Sequence, residues 1–380
     1  MAGRNEKLEQ RGAMIVGVPR EQQAGERRVG LSPAGAEELV RTGSRVIVEA
    51  GAGTGAHFSD GDYESAGAQI VLSHQEAFQR ADLVCKVGLV EENEVALLRE
   101  GQVITGFLHL ITAPRGILKA LLDTKVTAIS YELIEEADGR LPVLRPTSQI
   151  AGRMVPQLAG RLLERGRGTL LGGIPGIPPA DVVILGGGTL GYQAARTLRG
   201  VGAMVYVIEH RRRLEELDRH FAGGVVTALS TRANIEKFVS FADVLIGAVL
   251  VQGVRAPMLV TREMVRTMAP GAVIIDFSID QGGCVETSRP TPSEDYVYTE
   301  EGILHFCMPN VSSLVSRTAS HALTNAALPY LRALVERGLT GALRDLPDLA
   351  RGVALHAGSV TQAHLAREHD YEYYHLERLL

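Results

Sequence analysis

The chain has no tryptophan, and only three of its 380 residues are cysteine. Cys85, Cys284 and Cys307 stand far apart with no CxxC spacing, which argues against both a disulfide framework and the common zinc signatures. Each is expected to be a reduced structural thiol, and no metal is expected. A field of one sign is also missing: 39 basic residues lie dispersed among 44 acidic ones, so nothing offers to grip a phosphate backbone. Nucleic acid is not an expected partner. Long hydrophobic runs are absent too, since the longest, Val244 to Val251, falls far short of the roughly 20 residues that span a bilayer. The opening MAGRNEKLEQRG is polar, and the first apolar run, Met14 to Val18, is too short for a signal-peptide core. The expectation is a soluble cytoplasmic protein with no membrane partner, in which residues 1–13 form a disordered extension. Tandem repeats and low-complexity segments are likewise missing.

What is present is an ordinary globular composition on a chain too long for one core. At about 150 residues per domain the length suggests two units. Short β-branched runs alternate with amphipathic stretches, the pattern of βαβ units that pack a parallel sheet between helices. Met14 to Val18, Arg45 to Glu49, Leu83 to Val87 and Val103 to Phe107 read as strands. Pro33 to Thr42 and Glu91 to Arg99 carry helical spacing. A second series runs through VVILGGG from Val182, MVYVIEH at Met204 to His210, DVLIGAV at Asp243 to Val249 and AVIIDFS at Ala272 to Ser278. Between the two series, LLGGIPGIPPA at Leu170 to Ala180 predicts irregular backbone. From Thr318 to Leu380 the chain reads as mostly helical.

Gly186-Gly187-Gly188-Thr189-Leu190-Gly191 is a GxGxxG that directly follows a strand and opens a helix. In this context Gly186 allows the tight turn, Gly188 lets the backbone approach a diphosphate, and Gly191 lets helix and strand pack closely. The helix start then offers free N–H groups to the anion. Glu209 ends the next strand, where a carboxylate accepts hydrogen bonds from the adenosine ribose hydroxyls, which favours NAD over NADP. The basic run His210-Arg211-Arg212-Arg213 beside it carries the lesser reading, a seat for a 2′-phosphate.

Several further stretches carry a resemblance. RRVGLSPAG at Arg27 to Gly35, EAGAGTGA at Glu49 to Ala56, GFLHL at Gly106 to Leu110 and SQIAGR at Ser148 to Arg153 resemble the alanine dehydrogenases, as do IGAVLVQGVRAPMLV at Ile246 to Val260, IDFSIDQGG at Ile275 to Gly283, SRPT at Ser288 to Thr291 and ALTNAALPY at Ala322 to Tyr330. The resemblance covers nearly the whole chain from Met14. The nucleotide-binding subunit of proton-pumping transhydrogenase shares the ERRV opening and the glycine loop but differs at IDQGG and at the histidine. The resemblance implies an α/β fold of two Rossmann-like domains with a cleft between them, their parallel sheets flanked by helices. Residues 14–142 plus 311–380 would form the substrate domain and 143–310 the NAD-binding domain. It implies that Arg28 holds the substrate carboxylate, that His109 is the acid/base, and that Asp280 lies near the substrate amino group. Asp276, four residues earlier, is expected to be structural. Asn310 matches an asparagine beside the nicotinamide and is placed with the substrate residues. Ser148, with Val249 and Leu250, joins Gly186, Gly188, Gly191 and Glu209 as cofactor-binding. The implied activity is reversible oxidative deamination of a 2-amino acid by a cytoplasmic homo-oligomer, which in this family is commonly a hexamer.

Two departures qualify that picture. Where the family reads KVKEP, this chain reads Lys86-Val87-Gly88-Leu89-Val90, so a substrate-binding lysine is replaced by Gly88. Lys86, two residues earlier and about 6.6 Å away if the strand continues, is the candidate to substitute for it. Otherwise the pocket takes a bulkier substrate than alanine. The family's NMPxxVPKTS is here Asn310 to Thr318 with two prolines and a methionine gone, which frees the loop backbone. An opine-type or imine reductase joining an amine to a 2-oxo acid is therefore a second reading, and a catalytically silent NAD-binding protein a third.

Overall fold

The computed structural model describes residues 14–291 and 297–380; the expected extension, residues 1–13, lies outside the described residues. The chain divides into two compact units. The first joins the described residues up to Pro146 with Ser313–Leu380, and the second is Thr147–Ser312.

Six strands open the first unit: β1 (Ile15–Val18), β2 (Arg45–Glu49), β3 (Gln69–Val71), β4 (Leu83–Cys85), β5 (Val103–Gly106) and β6 (Thr127–Ser130). Seven follow in the second unit: β7 (Asp181–Leu185), β8 (Met204–Glu209), β9 (Val226–Leu229), β10 (Val244–Gly247), β11 (Val273–Asp276), β12 (Tyr298–Glu300) and β13 (Ile303–Phe306). The chain then returns to the first sheet with β14 (Val353–His356) and β15 (Ser359–Val360).

The first sheet has the order β15-β14-β6-β5-β4-β1-β2-β3 and is parallel except where β14 pairs with β6 and β15. Its central strands are buried on both faces, so Val16, Val18, Leu83 and Val84 are fully inside and the runs read as continuous Val/Ile/Leu rather than alternating. From β1 the chain builds outward to β3, then returns to start β4 on the other side. The strand order therefore reverses between β1 and β4, and in open α/β sheets that reversal opens a crevice beyond the strands' carboxyl ends. The second sheet, β12-β13-β11-β10-β7-β8-β9, repeats the device with its reversal between β7 and β10. Only β12 runs antiparallel.

Two expectations are corrected. β4 stops at Cys85 instead of running to Val87, because Val87 and Gly88 form a bend. The helix expected over Glu91 to Arg99 spans only Glu92–Val95, closed at its start by reciprocal bonds between Glu91 and Glu94. The tail is mostly helical, as expected, but holds a hairpin that the spacing did not show. After the helix Ser316–Asp345, which bends at Gly338, it forms the hairpin β14–β15. Ala357 and Gly358 both take positive φ at its tip, and the strands are too short to leave an alternating signature.

Candidate functional site

The segment leaving β1 carries Arg28, which is buried and gripped at two points by a carboxylate two residues away. Its Nε donates to Glu26 Oε1 at 2.8 Å and its Nη2 to Glu26 Oε2 at 2.6 Å, while its own backbone N–H also donates to Glu26 Oε1. Burial pushes the Glu26 carboxyl up, but the Arg28 guanidinium more than offsets it and holds the group below the usual carboxylate range. The C-terminal segment pins this loop. Arg27 N–H donates to Ser313 Oγ, Val29 N–H to Ser320 Oγ and Ser32 N–H to Thr324 Oγ1. Ser320 and Thr324 lie one helical turn apart, so one helix face serves both bonds.

Beyond β4, Lys86 is fully buried between two carboxylates, 2.8 Å from Glu94 and 3.1 Å from Glu21. Burial opposes its ammonium, yet the two acids hold its pKa above the ordinary lysine value. The reach toward substrate expected of Lys86 rested on a continuing strand. The strand ends one residue earlier, and the ammonium is engaged elsewhere. Glu94 also accepts from His74, whose other ring nitrogen faces Glu49 at 2.6 Å. Burial lowers the His74 pKa, but Glu49 and Glu94 together raise it to about 9, so the ring is a cation at neutral pH. Burial raises Glu21 above the usual carboxylate range even with Lys86 beside it. Glu21 also accepts from Val87 N–H at 2.6 Å. A Cβ added at Gly88 would meet Gln23 Oε1 at 3.3 Å and Glu21 Oε2 at 4.0 Å.

His109 follows β5. Its φ of 42° is left-handed, a conformation uncommon for a residue with a side chain, and its N–H is held by Glu132 Oε1 at 2.8 Å. The second oxygen of Glu132 is buried without a hydrogen-bond partner among the described residues. The imidazole stacks at 6.3 Å on Phe107.

In the second unit the glycine loop behaves as its spacing requires. Gly186 has φ +99°, and a Cβ there would come within 2.5 Å of the Ala248 carbonyl. A Cβ at Gly191 would collide with the Gly186 carbonyl. At Gly188 the only neighbour of an added Cβ is Arg213 Nη1 at 3.6 Å, so this part of the loop is open and faces a cation. Gly188 precedes the helix Thr189–Gly200 without any side-chain cap, which leaves first-turn N–H groups available to an anion. Glu209 Oε2 accepts from Gly187 N–H at 2.6 Å, bringing the acid to the loop. An open glycine, uncapped amides and a carboxylate at the end of the neighbouring strand fit a dinucleotide.

The other expected cofactor residues surround this loop to different degrees. Ser148 is half-buried, one turn before Gly152 on the helix Leu144–Arg165. Gly152 lies so close to the glycine-loop helix that a Cβ would be 2.5 Å from Leu190 O. Val249 N–H, just past β10, donates to Ser278 Oγ, and Leu250 is exposed. Asp276 is buried and spent on backbone: it accepts from Ser278 N–H and Cys284 N–H at 2.9 Å each. Asp280 is half-buried in the single turn Phe277–Gln281 that Asp276 caps. Asn310 takes a left-handed φ of 54°, which asparagine tolerates better than most side chains.

Two family models match the chain in succession: the alanine dehydrogenase/PNT N-terminal domain over residues 17–151 and the C-terminal domain over 156–363. The chain belongs to the alanine dehydrogenase/PNT family. It is accordingly an oxidoreductase of the amino-acid dehydrogenase type that works with a nicotinamide cofactor. The alanine dehydrogenase of Methanococcus maripaludis is 43% identical over 372 residues, covering 97% of this chain and all of that protein. A solved L-alanine dehydrogenase superposes with a TM-score of 0.86 at 43% identity, over 93% of this chain and 99% of that one. A transhydrogenase from Sinorhizobium meliloti gives 0.74 at 25% identity over 92% and 99%. Among the described residues no helix is long and apolar enough to cross a membrane.

In this member of the alanine dehydrogenase/PNT family, the residues that the sequence left unmarked are acids. Glu26 clamps Arg28, Glu132 holds the His109 backbone, and Glu21 and Glu94 enclose Lys86. Glu26 could have been suspected from its place two residues before Arg28. Nothing in the sequence joins Glu94 to Lys86 or Glu132 to His109, because those contacts depend on the sheet.

Proposed function

We propose that the protein catalyses reversible oxidative deamination of a 2-amino acid to the 2-oxo acid and ammonia, with NAD rather than NADP. The observation that carries the reading is the glycine loop with Glu209 at its edge, together with a buried arginine and a conformationally fixed histidine at the carboxyl ends of the first sheet. Gly186, Gly188 and Gly191 hold the diphosphate, with Ser148, Val249 and Leu250 as further cofactor contacts. The bound nicotinamide supplies the hydride acceptor in the oxidative direction and the donor in reverse.

Arg28 receives the substrate carboxylate, its guanidinium already fixed by Glu26 so that little side-chain entropy remains to be lost. Once Cα has lost hydride, the substrate is an iminium. His109 takes a proton from the water that adds to it and returns one to the departing amine. Asp280 offsets the positive charge at the substrate nitrogen, and Asn310 hydrogen-bonds beside it. Lys86 holds the acids in place rather than touching substrate.

The preference for NAD rests on Glu209, whose carboxylate repels a 2′-phosphate and accepts from free ribose hydroxyls. Arg213 over Gly188 complements a diphosphate, which both dinucleotides carry, and so does not discriminate. The enzyme works as a cytoplasmic homo-oligomer on this reading. Purified protein given NADH or NADPH, ammonia and a panel of 2-oxo acids should oxidise NADH preferentially, and Glu209→Ala should narrow the difference. Equal use of both cofactors by the wild type would overturn the assignment. The missing side chain at Gly88 favours one second reading, an opine-type reductase in which an amine replaces ammonia. It predicts turnover with amines and none with ammonia.

A further inference from the structure

The buried charges of the first unit form an alternating series: Glu49, His74, Glu94, Lys86, Glu21. Successive members are 2.6, 3.0, 2.8 and 3.1 Å apart. Three acids therefore share two cations: with all three ionised the series is one positive charge short, and Glu21 is the member that burial pushes toward its neutral form. The deficit is placed where a ligand can make it good. Glu21 follows β1 and Gly88 follows β4, the two strands that flank the reversal of strand order, where the crevice of an open α/β sheet lies. Gly88 has no side chain to fill that space. The two side chains nearest its missing Cβ both present oxygen, Gln23 Oε1 and Glu21 Oε2. Gln23 is exposed and able to move, whereas Glu21 is held by Val87 N–H and Lys86. The site is thus built as a fixed acceptor under a yielding one beside the buried Gly88, and Gln23 must swing aside to admit a ligand group there.

We propose that the substrate itself supplies the missing cation: Glu21, with Gln23, selects a 2-amino acid or 2-oxo acid whose side chain ends in an amine. This rests on the dehydrogenase reading above and adds the substrate class to it. A neutral side chain of equal length could displace Gln23 but would leave an ionised Glu21 without a second cation. An ammonium would complete the series and form a charge-assisted hydrogen bond in a buried setting.

The test compares lysine, ornithine, norleucine and alanine as substrates of the full chain with its oxidised cofactor. Norleucine matches lysine in length without the charge. Lysine or ornithine should exceed norleucine in kcat/KM by roughly tenfold or more, the size expected of one charged hydrogen bond. Glu21→Gln should shrink that ratio. Because Glu21 also braces Lys86, a second variant guards against a folding defect: Gly88→Lys places the cation in the chain. It should abolish the preference for the amine and raise turnover of alanine. Norleucine equal to or better than lysine, or a Gly88→Lys variant with an unchanged ratio, overturns this inference and leaves the dehydrogenase intact. Failure of every amino acid, and of every 2-oxo acid with ammonia, overturns both together.

Discussion

The two sheets end in different chemistry. At the carboxyl edge of the second, function is written in backbone: an open glycine, a helix start without a cap, amides facing outward. At the same edge of the first, it is written in buried side-chain charges held in pairs, Arg28 with Glu26 and Lys86 with Glu21 and Glu94. A backbone site is sensitive to any added atom and indifferent to charge. A charge-paired site tolerates changes of shape and fails when one partner is lost. Each prediction below sets one kind of sensitivity against the other.

The largest effect belongs to the backbone site. Gly191→Ala, whose Cβ would strike the Gly186 carbonyl, should abolish NADH binding, whereas Gly188→Ala, with open space before it, should weaken binding far less. Titration of nicotinamide fluorescence measures both, and equal losses would show that the loop is not a cradle of close approach. Next, His109→Ala and Asp280→Ala should each lower kcat by about 10²–10⁴, the usual worth of a positioned acid or base, with NADH affinity within a few-fold. A loss of cofactor affinity matching the loss of rate would move those residues to the other side of the comparison.

Removing a buried partner should cost stability before activity. Lys86→Ala strands two carboxylates and should destabilise the first unit by about 3–5 kcal/mol, read as a shift in a denaturant midpoint. A near-neutral result would mean that the acids take up protons freely. The smallest effect is a pH dependence. The folded-state pKa of His74 is raised to about 9 from an ordinary 6.5, so its contribution to stability is complete below about 6.5 and is lost as pH rises through 9. Thermal midpoints measured from pH 6 to 9.5 should fall in that window, and His74→Gln should flatten the fall.

The same contrast explains what the sequence disclosed. The glycine loop and Glu209 were legible because residue type alone sets the backbone there: only glycine fits at Gly186 and Gly191. His109 was singled out through the resemblance of GFLHL, but its left-handed backbone and its tie to Glu132 gave no sign in the sequence, since Glu132 lies beyond the next strand. The strand before Lys86 was carried too far because periodicity runs a strand forward until something stops it, and the bend at Val87 and Gly88 leaves only a single glycine as its sign. The β14–β15 hairpin escaped for a related reason, being two short strands behind a long helix whose spacing dominated the reading.

Arg28 is seated by residues nearly three hundred positions later: Ser313, Ser320 and Thr324 hold the loop on which it stands, and β14 joins the sheet beside β6. On a ribosome this imposes an order. Thr147–Ser312 is one continuous stretch and can condense as soon as it has emerged, while the earlier-made half of the first unit must wait, incomplete, until Ser313–Leu380 has been made. The unit that begins first is finished last, and until then its strand β6 is an unpaired edge that a nascent chain must keep from its neighbours.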